Sequence, residues 1–354
     1  MDQRTHRIEA FNDKRMKGNK IFKILSIDGG GIKGLYSASI LKKFEDTFGC
    51  LTTDRVDMVC GTSTGGLIAL AISLGIPAAE ICDFYVQKGK DIFPPHRLKI
   101  PLLGYIDLFS LKQALFWGKY SGRGLKQSLN DIFENKRIGD SRNLLCIPSY
   151  SVTKARPRVF KYDHREGKLS TDNSLLMKDV ALATSAAPTY LPLAEIAALS
   201  KEQFVDGGVW ANNPTLVGLL EALMCFVGKG KEYDSIQILS ISSLSITEGR
   251  ETGLRKRRSF MGWKSALFNT TLSGQAFFTE FFMDKIGEIG DVNIDYLRIP
   301  SDSLSRAHES LIDLDVANEK AYNLMRIKAA YQAAIFEKQE KVINFFTTPK
   351  TYIV

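Results

Sequence analysis

IFKILSIDGGGIKGLYSASILKKFEDTFG, residues 21–49, decides how this chain is to be read. Residues 21–27 are a short apolar, β-branched run, the right length for one buried strand. Asp28-Gly29-Gly30-Gly31 breaks it. Leu35, Ile40, Leu41, Phe44 and Phe48 then return at helical spacing, and Gly49 is placed to stop the helix. The same grammar follows at once. Val56 to Cys60 reads as a second buried strand, Gly61-Thr62-Ser63-Thr64-Gly65-Gly66 as a turn, and Leu67 to Leu74 as a helix ended by Gly75 and Pro77. Strand, glycine turn and helix, repeated, predict a parallel sheet with crossover helices.

Further strands are expected over 143–150, 158–162, 203–205 and 235–240, and helices over 78–89, 121–133, 214–226 and 318–340. Residues 93–120 carry Pro94, Pro95 and Pro101 among many apolar side chains and lack a clean period. They read as core or as a lid over an apolar channel.

The 354 residues are 44% hydrophobic and 24% charged, an ordinary globular composition that excludes disordered, collagen-like and disulfide-scaffold classes. The net charge of +8 is local. Residues 1–20 carry a surplus of positive charge, and residues 252–279 hold Arg255, Lys256, Arg257, Arg258 and Lys264 with no acid. A nucleic-acid polymer is therefore not an expected partner, because such surfaces spread their charge. The 252–279 segment also carries Phe260, Trp263, Phe268, Phe277 and Phe278. Its plainest reading is a solvated basic loop; contact with anionic lipid headgroups or with nucleotide phosphates are the alternatives. Five scattered cysteines form no CxxC pair, so neither a disulfide framework nor a metal site is expected. With no apolar leader and no long apolar run, the expected location is the cytoplasm.

Three elements carry chemistry. Gly61-Thr62-Ser63-Thr64-Gly65 has the form of a nucleophile elbow: a sharp strand-to-helix turn that lifts a hydroxyl to a helix N-terminus. The bland alternative is a tight turn with a capping serine. A serine nucleophile needs a base. None of His6, His96, His164 and His308 follows a strand and a glycine turn, whereas Asp206, before Gly207 and Gly208, does. Asp206 is thus read as the direct base, with a simple turn aspartate or a triad through His308 as alternatives. Asp28 to Gly34 can aim successive amides at an anion, with Lys33 adding positive charge. Gly29, Gly31 and Gly34 also spell G-x-G-x-x-G, with Asp54 some 20 residues on, so a dinucleotide-binding, Rossmann-like protein is the competing reading. It leaves Ser63 and Asp206 unexplained.

Taken together, D-G-G-G-x-K-G at 28–34, G-x-S-x-G at 61–65 and D-G-G at 206–208 resemble the patatin-like phospholipases. The resemblance implies a three-layer α/β fold with a mostly parallel central sheet and helices on both faces. It implies Ser63 as nucleophile, Asp206 as its base, Gly30, Gly31 and Lys33 near the oxyanion, and Gly29, Gly34, Gly61, Gly65, Gly207 and Gly208 as motif glycines. It implies lipid acyl-ester hydrolysis with neither metal nor cofactor. Arginine is common where Lys33 stands, and lysine lacks arginine's fork of donors. Residues 38–93 are similar to the compact bacterial forms that serve antiviral signalling. That similarity implies a cyclic dinucleotide activator, membrane phospholipid as substrate, peripheral contact at the inner face of the cell membrane and a capacity for homo-oligomers. The expected organisation is a basic tail (1–20), a hydrolase core (21–215) and a continuation (216–354) packing on that core.

Overall fold

The computed structural model describes residues 20–94, 98–100, 104–106, 119–246, 248, 252, 265–286 and 293–354. The tail up to residue 19, the cluster Arg255, Lys256, Arg257 and Arg258, and most of the 93–120 connection with its lid reading lie outside the described residues.

β1 (Ile21–Ile27) sits inside an eight-stranded sheet, parallel to β9 (Ser235–Ile241) on one side and to β2 (Met58–Gly61) on the other. β10 (Asn293–Ile299) continues the parallel run beyond β9, and β5 (Leu144–Ser151) continues it beyond β2. The remaining strands are antiparallel: β6 (Arg156–Lys161) and β8 (Glu202–Asp206) on β5, and β7 (Ala194–Ile196) on β8. β3 (Leu98–Ile100) and β4 (Gly104–Ile106) form a separate hairpin.

Alternation along β1 builds the three layers, because successive side chains leave opposite faces of a strand. Leu25 and Ile27 enter one core with Leu35, Phe44 and Ile68; Phe22 and Ile24 enter a second core with Leu219, Phe226 and Met283. The first face is covered by α1 (Gly34–Phe48), α2 (Thr64–Ser73) and α3 (Ala78–Ile92), together with α4 (Arg123–Phe133), α5 (Met177–Ser185) and the C-terminal helices. All ten residues of α2 are buried, as a helix apolar on every side requires. After the short α6 (Gly208–Ala211), α7 (Thr215–Cys225) and α8 (Ser265–Ile286) contribute to the second core. Strands from beyond residue 215 thus lie in the same sheet as β1.

Two expectations need correction. From residue 265 the expected basic loop is helix, with Leu272, Thr279 and Met283 buried at helical spacing. Its phenylalanines, threonines and Gly274 are indifferent helix formers, and tertiary burial overrides them. The single helix expected over 318–340 is two: α9 (Glu319–Phe336), capped by the Asn318 side chain accepting from Ala321 N–H at 3.0 Å, and α10 (Glu340–Thr347). The change of axis brings Phe346 onto Phe44 and Phe48, ring centroids 5.2 and 5.5 Å away.

Candidate active site

Gly61 and Gly65 are the steric condition of the turn at Ser63. A Cβ on Gly61 would lie 2.1 Å from the Gly65 carbonyl oxygen, and one on Gly65 would lie 2.2 Å from that of Ile27. Between them Ser63 holds φ 54° and ψ −124°, a region that L-residues avoid and that costs about 1–3 kcal/mol. The strain is held by its neighbours: Ser63 N–H donates to Thr184 Oγ1 at 3.0 Å, and Thr62 Oγ1 donates to the Ala211 carbonyl at 2.6 Å.

The strand register brings Asp206 to this turn. Cys146 of β5 pairs with both Cys60 of β2 and Lys161 of β6, so β2 and β6 lie on opposite edges of β5. Ser149 pairs with both Arg158 of β6 and Asp206 of β8, so β8 also lies opposite β6. β2 and the antiparallel β8 therefore share one edge of β5 and run head-on toward each other, their ends opposite residues three apart. Ser63 follows the end of one and Asp206 ends the other. Thr184 ties the two turns: its hydroxyl accepts from Ser63 and donates to Pro148, while its carbonyl accepts from Gly207 N–H at 3.2 Å.

Asp206 is 2% exposed. Burial pushes its carboxyl up to about 7; the Gly208 N–H, which donates to Oδ1 at 2.7 Å, and hydrogen bonding from the Ser63 side chain pull the other way. That value suits a base working near neutral pH.

Gly30 and Gly31 line the cleft with Ser63, and among the described residues neither N–H has an acceptor; the same holds for Thr64 N–H at the start of α2. Gly31 sits at φ 60°, and a Cβ there would strike the Leu314 carbonyl oxygen at 2.2 Å. A Cβ on Gly29 would come within 2.5 Å of Asn212 Oδ1, and one on Gly34 within 2.1 Å of Thr64 Oγ1. The loop is thus packed against the elbow, not spread around an open pyrophosphate site. Lys33 does not line the cleft. Its stem packs beside Gly30, and burial lowers its ammonium pKa against the opposing pull of Asp313.

The cleft encloses about 690 Å³ counting its open mouth, and Leu67, Phe84, Phe93, Leu125, Leu191 and Leu272 make its walls apolar. No described histidine lines it. His164 is buried elsewhere: its Nδ1 accepts from Gly167 N–H at 3.0 Å, which leaves the proton on Nε2, 2.8 Å from Glu221. His164, Glu221 and Cys225 stand together as a metal could require, but Lys161 already pairs with Glu221 and the Nε2 proton occupies the remaining histidine donor site. His308 contacts Ser305 at 3.3 Å, and His6 and His96 lie outside the described residues.

Sequence reasoning missed Thr184, Asn212 and Arg298. Asn212 is buried at the cleft with Oδ1 unpartnered. Arg298, on β10, grips Asp28 with two hydrogen bonds of 3.0 and 2.6 Å and donates to Ser240 at 2.7 Å. Burial raises the Asp28 pKa and Arg298 opposes that, so the aspartate of the glycine loop is an anchor. Arg298→Met is expected to lower unfolding free energy by about 3–5 kcal/mol in urea titrations, because it strands a buried carboxylate. Adding Asp28→Asn should restore most of the loss.

A profile of the patatin-like phospholipase family matches residues 25–219, more than half of the chain. The chain belongs to that family. It has the patatin-type α/β fold and is a hydrolase of carboxylic esters, a phospholipase. A cGAMP-activated phospholipase of Pseudomonas aeruginosa is 33% identical over 73% of this chain and 74% of its own length. A cGAMP-activated phospholipase of Vibrio cholerae is 28% identical over 92% and 95%. Patatin-like protein 4 of Arabidopsis thaliana is 31% identical over 70% and 64%.

Proposed function

We propose that this phospholipase cleaves acyl esters of membrane phospholipids through a Ser63–Asp206 dyad, and that a cyclic dinucleotide switches it on in bacterial antiphage defence. The carrying observation is the Ser63 hydroxyl set against a buried carboxylate of pKa about 7, beside unpaired amides and an apolar cleft.

The chemistry follows from these positions. Asp206 takes the Ser63 proton as Oγ attacks the ester carbonyl. The N–H groups of Gly30 and Gly31 hold the oxyanion; each such donor is worth about 3 kcal/mol. As the tetrahedral species collapses, Asp206 returns the proton to the leaving lysolipid alcohol. Water then attacks the acyl-enzyme with Asp206 again as base, releasing a fatty acid and restoring Ser63. The apolar walls take the acyl chain, which holds the carbonyl carbon over the hydroxyl. Among the described residues no helix is long and apolar enough to cross a membrane; action on the inner leaflet from its surface is part of this proposal. Gating is supported by the cGAMP-activated relatives, two of which share most of the chain's length.

Fatty-acid release from phosphatidylethanolamine–phosphatidylglycerol vesicles, with and without a panel of cyclic dinucleotides, tests both parts. Release is expected to rise at least about tenfold with one nucleotide. Equal release without any nucleotide overturns the gating. No release under any condition overturns the lipid substrate.

A further inference from the structure

The two halves of the site hang from different parts of the chain. The glycine loop is held by the segment that precedes α9: Ile32 N–H donates to the Leu314 carbonyl at 2.9 Å, and that oxygen lies where a Cβ on Gly31 would stand. The dyad is held by residues 184–190. Thr184 Oγ1 accepts from Ser63 N–H, and the Ala186 carbonyl accepts from Asp206 N–H at 2.9 Å. Lys119 and Tyr120 are fastened to the far end of that segment, their N–H groups donating to the Thr189 and Tyr190 carbonyls at 2.9 and 2.8 Å. Asp315, next to Leu314, joins the halves. It is 8% exposed; its carboxylate accepts from the Tyr120 hydroxyl at 2.7 Å and pairs with Lys119 Nζ. Tyr120, Tyr190, Leu272 and Leu314 pack in one apolar cluster, and the last three of them line the cleft.

We propose that Asp315 is a positioning residue: by tying Leu314 to Lys119 and Tyr120, it sets the glycine-loop amides at working distance from the Ser63 hydroxyl. The inference rests on the reading of Ser63 and Asp206 as the dyad with Gly30 and Gly31 as oxyanion donors, and adds what spaces the two. Gly29, Gly30 and Gly31 carry no side chains with which to lock their own position, so the loop takes its shape from what presses on it, here the Leu314 carbonyl. An oxyanion donor acts only within a few tenths of an ångström of its working distance, and a misplacement of about 1 Å can cost about 100-fold in rate. A buried carboxylate that takes a hydroxyl and an ammonium together is a stiff link, because charge-assisted hydrogen bonds are short and gain strength away from water. A buried pair is weak evidence for stability alone; its place between Leu314 and the segment holding both dyad turns gives it a geometric task. Asp315 lies beyond residues 25–219, which the family profile matches, so the continuation of the chain completes the site.

The test reads oxyanion stabilisation apart from the integrity of the cleft. Asp315→Asn removes the charge but leaves an oxygen for the Tyr120 hydroxyl, and the Lys119 side chain, 27% exposed, can turn to water, so the fold is kept. On a soluble short-chain ester kcat is expected to fall about 10- to 100-fold, with KM within about twofold of the parent's. Affinity for an acyl trifluoromethyl ketone, which Ser63 converts to a tetrahedral oxyanion, should fall by the same factor. Inhibition by decanol, which fills the apolar walls and forms no oxyanion, should stay within about twofold. Parent-like kcat and ketone affinity overturn the proposal. So does an equal weakening of ketone and decanol, which would make Asp315 a support for the cleft as a whole. Tyr120→Phe covers a folding loss in the first variant, since it keeps the ring and removes one donor to the carboxylate. It should lower kcat and ketone affinity together by about 3- to 10-fold, and no change in either overturns the assignment. A parent enzyme that the ketone does not inhibit brings down the oxyanion reading and the positioning role with it. Strong inhibition of the parent, undiminished in both variants, brings down the positioning role alone.

Discussion

Ser63→Ala lowers ester turnover by about 10,000-fold or more and removes labelling by a fluorophosphonate, because the hydroxyls left at the elbow, Thr62 and Thr64, are bonded to the Ala211 carbonyl and to Tyr85. Its melting temperature stays close to the parent's, since alanine accepts the same strained backbone no better than serine does. Ser63→Gly makes the complementary case. It is equally inactive, yet φ 54° and ψ −124° suit glycine, so relief of strain outweighs the added unfolded-state entropy and stability rises by about 1 kcal/mol. Short-chain ester assays with calorimetry on both variants check this. Turnover retained by the alanine variant would move the chemistry elsewhere.

Asp206→Asn separates catalysis from stability in opposite directions. Ester hydrolysis should drop about 1,000-fold, the usual worth of a positioned general base. Stability should rise. The Asp206 carboxyl sits at about 7 in the folded protein because burial disfavours the charge, against an ordinary value near 3.8. Between those values the folded state binds the extra proton, so stability falls as pH rises through that window, and the full penalty applies above about pH 7. Removing the charge yields up to about 4 kcal/mol there and nothing below about pH 4. Asparagine can still accept from Gly208 N–H, so the turn keeps its bond. The wild-type kcat/KM should correspondingly fall about tenfold per pH unit below about 7. A flat profile, or an active asparagine variant, would assign the proton to another group.

Most of the parallel sheet could be read from local pattern. β1, β2, β5 and β9 are short apolar runs bounded by turn residues, and such runs bury wherever they are placed. β10 escaped because NIDYLRI mixes charge with apolar residues; it is an edge strand, half-buried, and Arg298 points to Asp28 across the sheet. α8 escaped because its aromatic side faces out and blurs the helical period. Lys33 shows the limit of motif reading. The motif places a cation beside the glycine loop, but a side chain's direction depends on what packs around it, here Gly30 and Asp313.

The sequence by itself determined the elbow, the glycine loop and the aspartate turn, because each is a local steric problem: glycines where a Cβ would strike backbone, and a polar residue at a strand's end. It also set the two basic stretches. Tertiary structure alone decided that Ser63 and Asp206 meet, since β2 and β8 converge along one edge of β5 and only pairing across the sheet fixes that register. It alone decided that Thr184 ties the two turns, that Arg298 holds the loop, and that four phenylalanines of α8 stay outside the core. Burial and exposure are properties of a face, and a face exists only once distant segments have packed.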